Sequence, residues 1–124
     1  MNGRPQFSAR ALTIVCTDQD RSAAFYGTVL GGTPLPTDVG GLPPWFRLGN
    51  VEITLVQNAS RRSEAESGEQ AHTMLWLEVD DIAEAHRYLA ANGVPILEYD
   101  EEQWLMCADP DGLPIEVWQR DASD

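Results

Sequence analysis

The order of secondary-structure signals in this chain occurs twice, and the two copies are separated by about half of its 124 residues. Asp18 and Asp81 each come directly before an amphipathic helical pattern, and they lie 63 positions apart. Gly31 and Gly93 follow the two patterns and lie 62 positions apart, so one residue is missing from the second helix or its end. Because both copies have the same elements in the same order, the repeat predicts two similar modules in tandem.

Each copy predicts a strand, a helix and three further strands. The segment "ALTIVCTD" alternates as a strand does, and "DQDRSAAFYGTVLGG" has apolar residues at helical spacing after Asp18 or Asp20, either of which can cap a helix. The first copy continues with a short strand near 33–36 and with two strands, "WFRL" and "VEITLVQ", joined by a Gly49-Asn50 hairpin turn. The second copy consists of "TMLWLEV", the helix "DDIAEAHRYLAANG", "PILEY", "WLMC" and "IEVWQ".

These elements define an α+β fold of two tandem βαβββ modules. We expect one domain, 1–124, with modules at 9–57 and 72–120 and an exposed linker at 58–71, whose sequence has almost no large apolar residues. No apolar run approaches membrane-spanning length, and the N-terminal ten residues do not resemble a signal peptide. Cys16 and Cys107 lack paired spacing, which favours buried thiols in a cytoplasmic protein.

The charge of the chain is strongly negative. Twenty acidic residues stand against eight basic ones, all of them arginine, and the net charge is -12. Such a field repels nucleic acid and anionic membranes and attracts cations, although solubility or adaptation to salt would explain it as well. We therefore expect neither a nucleic acid nor a membrane as partner.

Three motifs resemble the vicinal oxygen chelate superfamily: "FYGTVLGG" after the first strand, "VDDIAEA" in the second copy, and "DPDGLPIEV" near the end. The superfamily includes glyoxalase I, extradiol dioxygenases, and fosfomycin and bleomycin resistance proteins, and the resemblance extends from about Ala11 to Gln119. It implies the glyoxalase/bleomycin resistance fold, in which curled mixed sheets carry helices on the outer face and hold the ligand on the concave face. It also implies a homodimer, with either a swapped or an in-chain arrangement of modules.

Strand alternation assigns residues to the two faces of these sheets. We expect one set to face the helices: Leu12, Ile14, Leu75, Leu77, Val79, Ile115 and Val117. We expect the other set to face the ligand cavity: Ala11, Thr13, Met74, Trp76, Glu78, Glu116 and Trp118. Glu116 thus points away from the core although it stands between Ile115 and Val117.

The four positions that hold metal in the resembled family fall here on Ala11, Thr54, Met74 and Glu116. Only Glu116 keeps a ligand type, because alanine and methionine offer a hard divalent ion no oxygen or nitrogen. A slipped strand register would instead gather Glu52, His72 and Glu116. Loss of the metal is the simpler interpretation, so we predict no cofactor, with Glu116 as a weak candidate ligand for a divalent ion.

Aromatic and acidic side chains remain as the chemistry of the cavity. Trp76 and Trp118 offer flat surfaces whose π faces attract cations, and Glu78 and Glu116 add negative charge. We predict a ligand that is flat, cationic and aromatic. The predicted ligand-binding residues are Trp76, Trp118, Glu116, Glu78, Met74, Thr54 and Glu52, whereas Trp45 and Trp104 are assigned to the core.

Two functions are compatible with this site. The first is a small-molecule binding protein of the bleomycin-resistance type, which sequesters a cationic compound such as an antibiotic without metal and without catalytic residues. The alternative is a metal-dependent lyase, isomerase or dioxygenase of the same superfamily, or an enzyme that moves protons through Glu116 or Glu78. The two histidines favour neither, because His72 is expected to be solvated and His86 to lie on a helix.

Overall fold

A computed structural model describes residues 4–36, 44–58 and 74–121 and confirms the predicted α+β fold. The first module consists of β1 (Ala11–Cys16), α1 (Gln19–Ala23), a π-helical segment (Ala24–Val29), β2 (Thr33–Leu35), β3 (Trp45–Leu48) and β4 (Val51–Gln57). The second consists of β5 (Leu75–Val79), α2 (Ile82–Ala91), β6 (Ile96–Asp100), β7 (Trp104–Ala108) and β8 (Pro114–Gln119). Most of the predicted linker 58–71 lies outside the described residues, as does His72.

The two modules form separate four-stranded sheets with the same topology. The strand orders are β1-β4-β3-β2 and β5-β8-β7-β6, and the first and last strands of each module pair in parallel. Thr13 pairs with Thr54 in the first sheet, and Trp76 pairs with Glu116 at the corresponding place in the second. The repeat seen in the sequence is therefore a repeat of strand register.

Both helices begin at the predicted aspartates. The Asp18 carboxylate accepts a hydrogen bond from the Arg21 amide, and the Asp81 carboxylate accepts one from the Glu84 amide, each at 3.1 Å. Of the two cap candidates, Asp18 and not Asp20 is the cap. These bonds satisfy amides that lack a partner in the first turn of a helix.

The π-helical segment explains the unequal spacing of the repeat. The Leu30 amide donates to the Phe25 carbonyl, five residues earlier, at 2.9 Å. A π turn contains more residues than an α turn, so it accommodates the extra residue between Asp18 and Gly31. Gly31 then leaves the helix with a φ of 76°, and Gly93 ends α2 with a φ of 75°, a conformation that favours glycine.

The core lies between the helices and one face of each sheet. Side chains of the predicted helix-facing set pack there with residues of the helices, and the buried members include Ile14, Phe25, Leu89 and Ile115. Leu12, Leu77 and Val79 are partly buried against the same cluster. Among the described residues, no helix is long and apolar enough to cross a membrane.

The "DPDG" turn joins the second module to the first helix. Asp109 accepts a hydrogen bond from the Tyr26 hydroxyl at 2.8 Å, and its other oxygen accepts from the amides of Asp111 and Leu113. Asp111 in turn accepts from both the amide and the hydroxyl of Thr17, at 3.0 and 2.6 Å. Burial raises the pKa of the Asp109 carboxyl, and burial also raises the pKa of the Tyr26 hydroxyl. This motif is therefore a structural link between modules.

Candidate functional site

The open face of the second sheet, opposite its buried side, carries three stacked tryptophans. The rings of Trp76 and Trp118 have centroids 5.0 Å apart and planes within 6° of parallel. The Trp104 ring also stacks on Trp118, with a centroid distance of 5.8 Å and an angle of 21° between the planes. We call Trp76, Trp118 and Trp104 the tryptophan row. Trp76 and Trp118, both predicted to face the ligand cavity, are thus brought together on the open face of the sheet.

The assignment of Trp104 to the core was wrong. Leu105 and Cys107 of β7 are buried, so the alternate positions Trp104 and Met106 lie on the open face. The alternation of residues in "WLMC" indicates that Trp104 lies on the open face. The core assignment was based on the size of the indole ring instead. Trp45 is likewise only partly buried, because its neighbour Phe46 occupies the core side of β3.

Acidic residues border the tryptophan row. Glu116 lies across from Trp76 on one strand and Met106 on the other, while Glu78 lies across from Trp118. Within the part of the chain that the structure describes, neither the Glu78 nor the Glu116 carboxylate has a hydrogen bond or an ion pair. The sheet therefore presents stacked aromatic rings beside two carboxylates that the described residues do not neutralise.

The row also contains an unsatisfied donor. The indole Nε1 of Trp118 is buried and has no hydrogen-bond partner among the described residues. Such groups are rare in folded proteins and are often found where function outweighs stability. Trp76, at the end of the row, is 56% exposed, and Met74 of the predicted set is also exposed.

The open face of the first sheet is organised differently. Glu52 is held by two arginines, with Arg10 Nε at 3.6 Å from one carboxylate oxygen and Arg47 at 3.4 Å from the other. The Arg10 guanidinium also lies 4.9 Å from the centre of the Trp45 ring. The hydroxyl of Thr54 is buried and donates to the Pro44 carbonyl at 3.2 Å. Glu52 and Thr54, two of the predicted ligand-binding residues, thus bind partners in their own module.

The residues at the family's metal positions do not fit a divalent ion. Ala11 and Met74 carry no oxygen or nitrogen ligand, and the Thr54 hydroxyl is used in a hydrogen bond. The register pairs Glu52 with Ala11 and Thr54 with Thr13, and His72 of the slipped-register alternative lies outside the described residues. Among the described residues, no three histidine, cysteine or acidic side chains come together as a metal site. We therefore derive no chemistry through a metal.

Nucleophiles and histidine give no catalytic arrangement in the described residues. Cys16 and Cys107 are buried thiols, and burial raises the pKa of both, for Cys107 to about 11. A thiol with a raised pKa is a poor nucleophile at neutral pH. His86 stacks on Tyr99 with ring centres 4.0 Å apart, which gives it a packing role on the surface of α2.

An apolar groove of about 480 Å³ lies between the two modules. It is bordered by the end of the π-helical segment, the β3–β4 turn, β5 and α2, with Val29, Leu48, Leu77 and Leu89 among its walls. Trp76 and Glu78 also line it, because β5 is an edge strand of its sheet. The groove is therefore continuous with one end of the tryptophan row. Neither the groove nor its link to Trp76 was predicted from the sequence.

A family model of the glyoxalase/bleomycin resistance protein/dioxygenase superfamily matches residues 9–117. The chain belongs to this superfamily. The match extends over both βαβββ modules of this chain, in agreement with the three motifs that its sequence contains. No curated protein sequence matches the chain.

Solved structures of other proteins share its fold. A glyoxalase/dioxygenase from Nostoc punctiforme has a TM-score of 0.76 and 20% identity, covering 92% of this chain and 91% of that one. A fosfomycin resistance protein from Mesorhizobium loti has a TM-score of 0.68 and 16% identity, covering 94% of each chain. A lactoylglutathione lyase from Agrobacterium tumefaciens has a TM-score of 0.66 and 21% identity, covering 94% and 96%. At these identities the likeness establishes the fold alone.

Proposed function

We propose that this superfamily member binds a flat organic cation on the tryptophan row and sequesters it without a metal and without chemical change. The observation that carries the proposal is a pair of carboxylates, Glu78 and Glu116, that have no partner among the described residues and lie beside three stacked indoles. A cation with an aromatic ring would satisfy both features at once, because indole faces attract cations and carboxylates neutralise them.

Trp76 is the residue that offers a free ring face. Trp118 stands between Trp76 and Trp104 and stacks on both, whereas Trp76 has a stacking partner on one side and is largely exposed. The ligand would extend the row by one ring at Trp76. Trp118 would then hold the Trp76 ring in the stacking orientation, which lowers the entropy lost on binding.

The position of the two carboxylates suits a charge carried on the ring itself. Glu116 is the direct cross-strand neighbour of Trp76, and Glu78 follows Trp76 by one pleat on the same strand and face. A cationic ring nitrogen stacked at Trp76 would lie near both. The net charge of -12 adds a general attraction for cations.

Sequestration agrees better with the site than catalysis does. The neighbours include both a lyase and a fosfomycin resistance protein, and a fold of this kind hosts many activities. Of the four metal positions only Glu116 carries a ligand type, and the described residues contain no nucleophile paired with a base. Antibiotic resistance in the cytoplasm by a homodimeric binding protein, with no nucleic acid or membrane as partner, is the biological role that we propose.

Titration of tryptophan fluorescence tests the proposal. We expect N-methylquinolinium to bind more tightly than quinoline, its neutral analogue of nearly the same shape. Replacing Trp76 by alanine should weaken binding of the cation about tenfold, since a desolvated cation–π contact on tryptophan contributes about 1–2 kcal/mol. The matched control is Trp45→Ala, which removes an indole from the other open face and should leave the affinity unchanged.

Chelator treatment provides the second arm of the same experiment. Binding should be the same before and after dialysis against a chelator, because the proposed contacts involve only side chains of the protein. Turnover of a small substrate that appears only after addition of a divalent ion would contradict sequestration and favour the enzymatic alternative.

A further inference from the structure

The inter-module groove is lined mainly by aliphatic side chains, and it meets the tryptophan row at Trp76. Its volume of about 480 Å³ lies in the range of small-molecule sites, roughly 300–1,000 Å³. Ile53 and Val117 at its walls are almost completely buried, whereas Val51 at its border is exposed. The groove is thus an apolar cleft that is open at one side.

Four polar side chains line this groove: Asn50, Glu78, Tyr88 and Arg120. The Arg120 guanidinium is paired with Asp80 at 2.8 Å, so Glu78 is the acidic group that the groove presents. The Tyr88 hydroxyl donates to the Val29 carbonyl at 2.6 Å, so it connects α2 to the first module across the groove. Glu78 lies on the wall that the groove shares with the row, and it has no partner among the described residues. A negative charge at the junction of an aromatic surface and an apolar cleft favours a ligand with a cationic centre between an aromatic and an aliphatic part.

We propose that the groove binds an aliphatic chain attached to the flat cationic ring, so that the ligand class is a cationic amphiphile. The inference rests on the proposed function and extends it, because the ring occupies the row at Trp76 and the chain continues past Glu78 into the groove. Continuity of the two surfaces at Trp76, the apolar walls and the charge at their junction carry this assignment. A second copy of the chain is the competing occupant.

A series of N-alkylquinolinium ions with methyl, butyl and hexyl chains, used below their micelle-forming concentrations, tests the assignment. Each methylene that enters the groove should raise the affinity about fourfold, so the butyl compound should bind well over tenfold more tightly than the methyl compound. Equal affinity of the methyl and butyl compounds would overturn the groove assignment and leave the proposed function standing. If no member of the series binds, both proposals are wrong.

Variants that fill or cover the groove identify where the chain lies. Ala85→Leu adds bulk inside the groove from α2 and should reduce the butyl advantage to less than threefold, with the methyl compound unaffected. The matched control is Ala90→Leu, which adds the same bulk at an exposed position of α2 outside the groove. Val51→Trp covers the exposed border and should act like Ala85→Leu without disturbing the core. A full butyl advantage in both groove variants would overturn the assignment.

Light scattering on the same variants separates a ligand from a second copy. If the groove binds a ligand, we expect Ala85→Leu and Val51→Trp to keep the oligomeric state of the unaltered protein. A lower mass of the assembly in these two variants, together with an affinity that still rises with the length of the alkyl chain as in the unaltered protein, would show that the groove is an interface between copies. That result would overturn the ligand assignment.

Discussion

The two sheets have the same topology, and their open faces differ in how their carboxylates are neutralised. On the first face, Glu52 lies between Arg10 and Arg47 and is four-fifths buried, with 19% of its side chain exposed. On the second face, Glu116 and Glu78 have no partner in the described residues. A carboxylate that is paired within its module contributes to structure, whereas an unpaired one beside aromatic rings remains available to a ligand.

Strand register explains why Glu52 has an arginine partner and Glu116 has none among the described residues. Arg47 pairs with Glu52 across β3 and β4, and the equivalent pair across β7 and β8 is Ala108 with Pro114. The second module therefore lacks the ion pair. One pleat further along each pair of strands, Trp45 pairs with Thr54, and Met106 pairs with Glu116. The carboxylate of the second face therefore lies at a different position, where its neighbour on β7, Met106, cannot neutralise it.

The comparison of the two faces requires that the modules stay packed together, so we expect the largest loss of stability from a change at their junction. Tyr26→Phe removes the hydroxyl that donates to Asp109 and leaves a buried carboxylate oxygen without that partner. We expect a loss of about 1–3 kcal/mol in the free energy of unfolding, measured by urea denaturation. Tyr88→Phe is the control, because its hydroxyl also connects the modules but the residue is half exposed. A smaller loss for Tyr26→Phe than for Tyr88→Phe would contradict this account of the junction.

Replacing one carboxylate on each face by an amide tests whether the two faces differ in ligand binding. Glu116→Gln should weaken N-methylquinolinium binding about three- to tenfold and quinoline binding hardly at all, and salt should narrow the gap. Glu52→Gln, the equivalent change on the first face, should leave both affinities unchanged because Glu52 already has two arginine partners. Isothermal titration calorimetry at two ionic strengths measures both variants. Equal losses in the two variants would remove the distinction between the faces.

The pH dependence of stability reports on the junction between the modules. Burial raises the pKa of Asp109 above its ordinary value of 3.8, so the folded chain binds that proton more tightly than the unfolded chain. This contribution to stability is complete below the ordinary value and is lost as pH rises through the raised pKa. Asp109→Asn removes the titration, so the stability of the unaltered chain relative to the variant should fall over this range. Urea denaturation at several pH values measures the difference, and a constant difference would contradict the prediction.

The smallest effect is expected from the ion pairs of the first face. Arg47→Gln removes one of the two partners of Glu52 and leaves Arg10 in place. Exposed ion pairs contribute about 0–1 kcal/mol, and the Arg47 side chain is 54% exposed. We expect a loss below about 1 kcal/mol in the free energy of unfolding, with no change in ligand affinity. A loss of affinity would place the first face in the binding site.

Local patterns were sufficient to predict the fold. Alternation placed the strands and their buried faces, and the two aspartates marked the helix starts, because these features depend on neighbours within a few residues. The same alternation places Trp104 on the open face, since Leu105 and Cys107 are buried on either side of Met106. Assignment by side-chain size missed that position. The partial burial of Trp45 was missed for the same reason.

Contacts between the modules could not be predicted in the same way. Tyr26 and Asp109 are separated by 83 residues, and their hydrogen bond depends on how one module sits against the other. The groove beside Trp76 has the same origin, because its walls come from both modules. The pairing of Glu52 with Arg10 also depends on the path of the chain before β1. Sequence periodicity describes each module and contains no information on their relative placement.

The central claim is that the second open face binds a flat cation and the first does not. The indole N–H signals of the four tryptophans, observed by ¹⁵N-edited NMR during titration with N-methylquinolinium, test it most directly. We expect the signals of Trp76, Trp118 and Trp104 to shift together, with Trp76 shifting most, while the Trp45 signal stays in place. A shift of Trp45 alone, or no shift in the tryptophan row at saturating ligand, would contradict it.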